Sequence, residues 1–442
     1  MSALQRASAE MVGARARPRP VSVTSARPRR LLLCLDGVPH EVITAAKGRG
    51  MFDSFGEPSR LLSPFPTMTN VALALMLRAT PPAGYESLYF DHGERRLSGG
   101  VRKYIGRRTP DKMPSSYMDE LDYQEPLAFE FLIYVATERV WRADLRRFRE
   151  RFRATSPARD FFGFLKATDG LLHKCGPRSL SVALRSLDQI LRDIQEACGS
   201  ETEIVLFSDH GMNLEENRRV HLQEGLRRSG FEVTADLRGG RGRARVSTPA
   251  FGLCSYAALY CGDETDPAEV AAATGTLEGV DFSVRRDGEG TGVLVEGARG
   301  RAHIRRRERA AGVASYSYEC ADGDPLGLSP IVSALAQEGL LDAQGFAPDA
   351  TWLERTAEHI YPDAPANLHG SLYAPRVRHT ADLLLSLHDG YFFGDTAFSH
   401  MIRLRATHGN ALRSSSNAFL MSTHRTFAPH VRAADVRPLL RD

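Results

Sequence analysis

Short, unbroken apolar runs that stop at Asp, Gly or His set the pattern of this chain. Leu31-Leu32-Leu33-Cys34-Leu35 runs into Asp36-Gly37. Phe161 to Lys166 runs into Ala167-Thr168-Asp169-Gly170, and Glu203 to Phe207 into Ser208-Asp209-His210-Gly211. Ala381 to Leu387, followed by His388-Asp389-Gly390, is a fourth run of the same kind. Runs this short, with no polar alternation, are the signature of strands buried on both faces, as in a parallel sheet. Between them the spacing changes. Leu180, Leu184, Leu187, Leu191 and Ile194 recur at helical intervals and predict an amphipathic helix over 178–198. A long helix is predicted over 125–153, where an acidic start and a basic end suit the helix dipole. Strands alternating with helices predict an α/β fold, with a mostly parallel sheet covered by helices on both sides.

Residues 213–374 have a different texture. Short β-like runs at 231–235, 254–260, 282–285, 293–295 and 302–304 are separated by Gly-rich and charged turns such as Arg238-Gly239-Gly240-Arg241-Gly242. The reading is a smaller α+β subdomain inserted into a core made of 30–212 and 375–442, preceded by a disordered basic tail over 1–29.

Composition narrows the function classes only a little. A net charge of +3 over 442 residues, with much of the excess in the first thirty, asks for neither a nucleic-acid polymer nor a membrane surface as partner. No apolar stretch approaches the length of a membrane span, and the N-terminus lacks the apolar segment of a secretory signal. The six cysteines are scattered without paired spacing, which suits free thiols in a reducing compartment. A soluble, cytoplasmic protein is expected.

The chemistry lies where the apolar runs end. In an open α/β sheet, ligands gather at the carboxyl ends of the strands, so residues far apart in sequence meet there. Asp36, Asp169 and Asp209 each follow such a run. His173 lies four residues after Asp169, on the same face if the segment is helical, and His210 adjoins Asp209. His408 lies late in the chain, in Ala406-Thr407-His408-Gly409. Three Asp and three His suit zinc, with manganese or iron as alternatives. Two divalent ions about 4 Å apart clamp the attacking and leaving oxygens of an in-line phosphoryl displacement. Phe65-Pro66-Thr67-Met68-Thr69-Asn70 leads into the apolar helical stretch Val71 to Leu77, so a hydroxyl there sits at a helix N-terminus, where an anion is favoured. Taken alone, Thr69 or Asn70 is more simply a helix cap; the surrounding constellation reverses that preference. His40, His359, His369, His388 and His400 are further candidate ligands, each more simply read as a surface or core histidine.

The order of these motifs resembles the alkaline phosphatase superfamily, and within it the branch of type I phosphodiesterases and nucleotide pyrophosphatases. The matching pieces are LCLDG at Asp36, FPTMT ending at Thr69, TDGLLH with Asp169 and His173, SDHGM with Asp209 and His210, and THG with His408. The resemblance implies an alkaline phosphatase-like three-layer αβα sandwich with a mostly parallel sheet and a smaller α+β insertion. It implies two metal ions, one held by Asp169, His173 and His408, the other by Asp36, Asp209, His210 and the oxygen of Thr69. It implies that Thr69 attacks phosphorus to form a covalent phosphothreonine, with Asn70 steadying the equatorial oxygens, and that the substrate is a small phosphate ester. His408 is preferred to His400 because a Gly follows it late in the chain, and Thr67 is the reserve nucleophile. Two positions depart from the pattern: Ala72 stands where many members have Asn, and Arg78-Ala79 replaces the usual Thr-Gly. Both bear on the substrate pocket more than on the metals. Phosphodiester or nucleotide pyrophosphate cleavage is the first expectation. Phosphomonoester, phosphonate or sulfate hydrolysis, and a metal-retaining binding protein without turnover, are the rivals.

Overall fold

A computed structural model of the chain describes residues 29–100, 116–133, 135–239, 242–288, 290–308, 312–394 and 403–441. The expected tail up to residue 28, two residues of the Gly-rich turn (Gly240 and Arg241) and the candidate His400 lie outside the described residues.

The first sheet has seven strands, in the spatial order His430–Arg432, Ser59–Leu62, Asn417–Ser422, Glu203–Ser208, Arg30–Leu35, Phe161–Leu165 and Tyr123–Gln124. Among the described strands of this sheet, Asn417–Ser422 alone runs against the rest. The interior strand Arg30–Leu35 is buried at all six positions. Its side chains nonetheless alternate. Leu31, Leu33 and Leu35 join Phe148, Phe152, Leu184, Leu187 and Leu191 on one side. Leu32 and Cys34 join Leu73, Met76, Val436 and Leu440 on the other. Helices therefore cover both faces, which is the predicted αβα sandwich, and the continuous apolar run of the strand is explained by burial on both sides. The helix Pro177–Cys198 is where the leucine spacing predicted it.

A second sheet of nine strands lies beside the first, in the order Ala347–Pro348, Ala314–Gly323, Gly300–Glu308, Gly292–Gly297, Val280–Arg286, Leu383–Leu387, Tyr256–Cys261, Arg245–Ser247 and Glu232–Val233. It contains the runs predicted in 213–374. It also contains Leu383–Leu387, expected in the parallel sheet, which instead pairs antiparallel with Tyr256–Cys261 and Val280–Arg286. The reason for the misreading is physical. Leu384 faces one buried cluster while Leu383, Leu385 and Leu387 face another. An antiparallel strand sandwiched in this way looks in sequence like a parallel one.

The long helix expected over 125–153 is two helices, Leu127–Leu132 and Thr137–Ala154. Between them Ile133 turns inward against Gly170, so closely that a Cβ on Gly170 would lie 2.6 Å from its side chain. The Thr137 hydroxyl donates to the Ile133 carbonyl at 2.7 Å and starts the second helix. Among the described residues, no helix is long and apolar enough to cross a membrane.

Leu33 is fully buried in the strand Arg30–Leu35. Leu33→Ala is expected to lower stability by about 2–5 kcal/mol, read as an earlier midpoint in urea unfolding. An unchanged midpoint would remove this strand from the core.

Candidate active site

All the residues singled out from the sequence, apart from His400, are described, and six of the metal-ligand candidates converge on one edge of the parallel sheet. Asp36 directly follows Arg30–Leu35, and its N–H donates to the Leu165 carbonyl of the neighbouring strand at 3.1 Å. Asp209 and His210 follow Glu203–Ser208. Asp169 and His173 lie on the helix Ala167–Cys175, which starts just past Phe161–Leu165. His408 lies in the loop that enters Asn417–Ser422, and because that strand runs the opposite way, its beginning lies at the same edge.

Two groups form. In the first, His173 Nε2 is 3.1 Å and His408 Nε2 3.7 Å from Asp169 Oδ1. In the second, His210 Nε2 is 3.4 Å from Asp36 Oδ1 and 3.5 Å from Asp209 Oδ2. Within each group the candidate ligand atoms lie within 4.8 Å of one another. The groups adjoin, since the rings of His210 and His408 stack with centroids 3.9 Å apart. Gly37 allows this crowding. Its φ is +69°, and a Cβ there would lie 2.9 Å from Met212 Cε, 3.3 Å from the His210 ring and 3.4 Å from Asp169 Oδ1.

Every histidine of the site is held by its other nitrogen. Nδ1 of His173 meets the Ala406 carbonyl at 2.8 Å, Nδ1 of His210 the Gly211 carbonyl at 2.8 Å, and Nδ1 of His408 the Thr67 carbonyl at 2.7 Å. A carbonyl only accepts, so Nδ1 carries the proton and Nε2 of the neutral ring presents a lone pair. Such backbone anchoring is how metal-binding histidines are oriented.

The residues fit divalent cations. Asp36 Oδ2, Asp169 Oδ1 and Asp209 Oδ2 are buried without a hydrogen-bond partner among the described residues, and the His173 and His408 Nε2 atoms face Asp169 Oδ1. Lone pairs then face lone pairs across both groups, an arrangement that a cation or bound protons relieve. The proton affinities follow. Burial, reinforced by Asp209 and Asp169, holds Asp36 well above the usual carboxylate range. Burial pushes Asp209 up to about 6. It pulls His210 down to about 4 and, together with His210 itself, His408 down to about 3. Burial also works against a charged His173, but Asp169 overrides it and raises that histidine.

Thr69 is the first residue of the helix Thr69–Met76, whose cap is Met68 and which has no side-chain capping bond. Its hydroxyl points into the site, 3.3 Å from Asp36 Oδ1 and 3.3 Å from His210 Nε2. Thr67 is placed differently, with its hydroxyl engaged by the backbone of Gly409 and Asn410. Asn70 accepts a hydrogen bond from the Tyr117 hydroxyl at 3.0 Å. The loop before Thr69 is gripped from the second sheet's side: Asn367 Oδ1 accepts from the Phe65 N–H at 2.7 Å, and the Arg376 guanidinium donates to the Phe65 carbonyl. The other candidate histidines lie elsewhere. His40 meets the Pro58 carbonyl, His359 the Tyr361 N–H, His369 the Thr291 carbonyl, and His388 approaches Asp281. Sequence reasoning missed Tyr117, Asn367 and Arg376, none of which carries a local motif; Gly37 was visible only as part of LCLDG.

A family model described as type I phosphodiesterase / nucleotide pyrophosphatase matches residues 85–315, more than half of the 442. The chain belongs to this family. The matched span contains Asp169, His173, Asp209 and His210, and the family is one of metal-dependent phosphoester hydrolases. Solved structures share the fold. Phosphonoacetate hydrolase from Sinorhizobium meliloti, in complex with phosphonoformate, is 14% identical with a TM-score of 0.52, over 93% of this chain and 94% of that one. The same hydrolase with phosphonoacetate is 13% identical with a TM-score of 0.50, over 93% and 94%. A murine ectonucleotide pyrophosphatase / phosphodiesterase 5 is 11% identical with a TM-score of 0.49, over 93% and 94%. No curated protein matches the chain.

A divalent cation held by Asp209 would compete with the proton for its carboxylate, so affinity would fall as pH drops through about 6, the value to which burial pushes this group. Titration of chelator-stripped protein with a divalent probe ion should show weaker binding at about pH 5.5 than at about pH 7.5. Equal affinity at both would contradict the ligand role of Asp209.

Proposed function

We propose that the chain cleaves phosphodiester or nucleotide pyrophosphate bonds through a covalent phosphothreonine on Thr69. The observation that carries this reading is the position of the Thr69 hydroxyl, 3.3 Å from a ligand of each type, Asp36 and His210, at the head of a helix. Asp169, His173 and His408 would hold one zinc ion, and Asp36, Asp209 and His210, with the Thr69 oxygen, the other. When bound, such a pair lowers the pKa of a hydroxyl or water and stabilises the charge on the attacking and leaving oxygens.

Thr69 Oγ1 forms the new bond to phosphorus as the ester oxygen of the leaving group departs, and the hydroxyl proton is released. The leaving oxygen takes up a proton from solvent. Water then attacks the phosphothreonine, the bond from phosphorus to Oγ1 breaks, and Thr69 regains its proton. One water is consumed for each bond cleaved. The N-terminus of the helix Thr69–Met76 favours the negative charge of the phosphoryl group. Asn70, its amide oxygen engaged by Tyr117, would offer its N–H groups to an equatorial oxygen. The small phosphate or phosphonate ester is the only partner this mechanism needs.

Thr69→Ala tests the reading. Turnover of an aryl phosphodiester by zinc-loaded protein should fall by at least about 10³-fold, with metal content unchanged. Intact-mass analysis of the quenched wild type should find an adduct of the phosphoryl group with its retained ester, absent from the Thr69→Ala variant. Turnover surviving in the alanine variant would sink the threonine mechanism. The same assay on the matching monoester and on a phosphonate ranks the substrate classes. No turnover of any of them, with both metals bound, would favour the binding-protein reading.

A further inference from the structure

Thr67 lies two residues before Thr69, yet nearly all its polar contacts are with residues more than 340 positions away. Its carbonyl accepts from His408 Nδ1 at 2.7 Å. Its N–H donates to the Gly409 carbonyl at 3.2 Å. Its hydroxyl accepts from the Gly409 N–H at 2.8 Å and donates to the Asn410 carbonyl at 3.3 Å. The side chain is completely buried. A hydroxyl that accepts from one backbone group while donating to the next is a role open to Thr or Ser and closed to an apolar residue of the same shape.

The loop on the far side of these bonds has nowhere to go. The Ser255 N–H donates to the His408 carbonyl at 2.7 Å, and the Thr407 hydroxyl donates to the Leu253 carbonyl at 2.5 Å. From the other side, Asn213 takes the Thr407 N–H on its Oδ1 at 2.8 Å and gives its own N–H to the Thr407 carbonyl at 2.8 Å. Gly409 has a φ of +123°, and a Cβ there would lie 3.0 Å from Tyr256 and 3.1 Å from the Ser255 backbone. Loop 407–410 is therefore rigid, and Thr67 joins the nucleophile's segment to it.

Resting on the two-ion reading above, we propose that Thr67 is a positioning residue that couples the His408 ligand of one metal group to the Thr69 nucleophile at the other. Its carbonyl sets the His408 tautomer, so that Nε2 faces Asp169. Its hydroxyl sets the register between the two loops, and Thr69 inherits its place from that register. Without the hydroxyl, the Gly409 N–H is left in a buried place without its acceptor, and the loops lose their common reference.

The full chain loaded with Co2+ reports on this directly, because ligand-field absorption follows the geometry at the ion. Thr67→Val is expected to weaken retention of one of the two ions by about 10–100-fold against a competing chelator, as loss of support behind a ligand does. It should also change the cobalt spectrum and lower kcat on an aryl phosphodiester, with KM little moved. Thr67→Ser should restore all three. If the valine variant does not fold, Thr67→Ala, which adds no bulk against the loop, takes its place. A hydroxyl-free variant with the wild-type spectrum and kcat overturns the proposal. So does one that keeps both ions and the spectrum but loses all turnover, since Thr67 would then be acting as the nucleophile. A wild-type chain that takes up no Co2+ overturns the two-ion reading itself, and with it the premise of this one.

Discussion

Three carboxylates, those of Asp36, Asp169 and Asp209, are brought together almost out of water, with side-chain exposures of 0%, 16% and 0%. Buried like charges are tolerated only when opposite charge or protons accompany them. Here the parallel sheet forces the encounter. Neighbouring strands lie about 4.8 Å apart, so residues that end adjacent strands cannot separate. The strands ending at Asp36 and at Ser208 are direct neighbours, and Phe161–Leu165 flanks the first on its other side. The fold has built a place that a cation or bound protons must relieve.

The imidazoles join the carboxylates as lone-pair donors only if they face the same way, and the backbone decides how they face. Three carbonyls, of Ala406, Gly211 and Thr67, each hold one ring by Nδ1. Two of these carbonyls belong to segments remote in sequence from the ring they hold. The second sheet extends the support. Glu86, partly buried, accepts from the N–H groups of Phe251 and Gly252 and from the Tyr256 hydroxyl, fastening the segment that backs His408. Phe65, Met68 and Val71 pack into the same hydrophobic cluster as Tyr256, Phe282 and Trp352. The loop before Thr69 is thus part of the core beside the second sheet while the Thr69 hydroxyl faces Asp36 and His210 at the edge of the first, so the two sheets cannot shift independently without moving Thr69.

Local signals read well where a single element decided the outcome. The strands before Asp36, Asp169 and Asp209 were legible because burial on both faces leaves an unbroken apolar run, and the turn that follows must be polar. The Asp169–His173 pair was legible because a helix repeats its face every four residues, and the helix Ala167–Cys175 bears this out. Leu383–Leu387 was misplaced because an apolar run records burial and not the direction of its neighbours. The break between Leu132 and Thr137 was invisible because it depends on Ile133 meeting Gly170, which follows 37 residues later in a different helix. Asn417–Ser422, which brings His408 to the site, was not read from the sequence at all.

What the sequence determined by itself was the inventory: which residues can ligate, which apolar runs become buried strands, and the order in which both occur along the chain. Those properties depend on residue chemistry and on short-range periodicity, which need no partner. Only the tertiary structure showed which hydroxyl, Thr67 or Thr69, faces Asp36 and His210, because both sit in the same six-residue motif and differ in what lies opposite them. Thr67 meets the backbone of a loop more than 340 residues away, whereas Thr69 meets Asp36 and His210. The same holds for the unshared oxygens of Asp36 and Asp209, since whether a carboxylate lacks a partner depends on every neighbour the fold supplies, and several of those neighbours are remote in sequence.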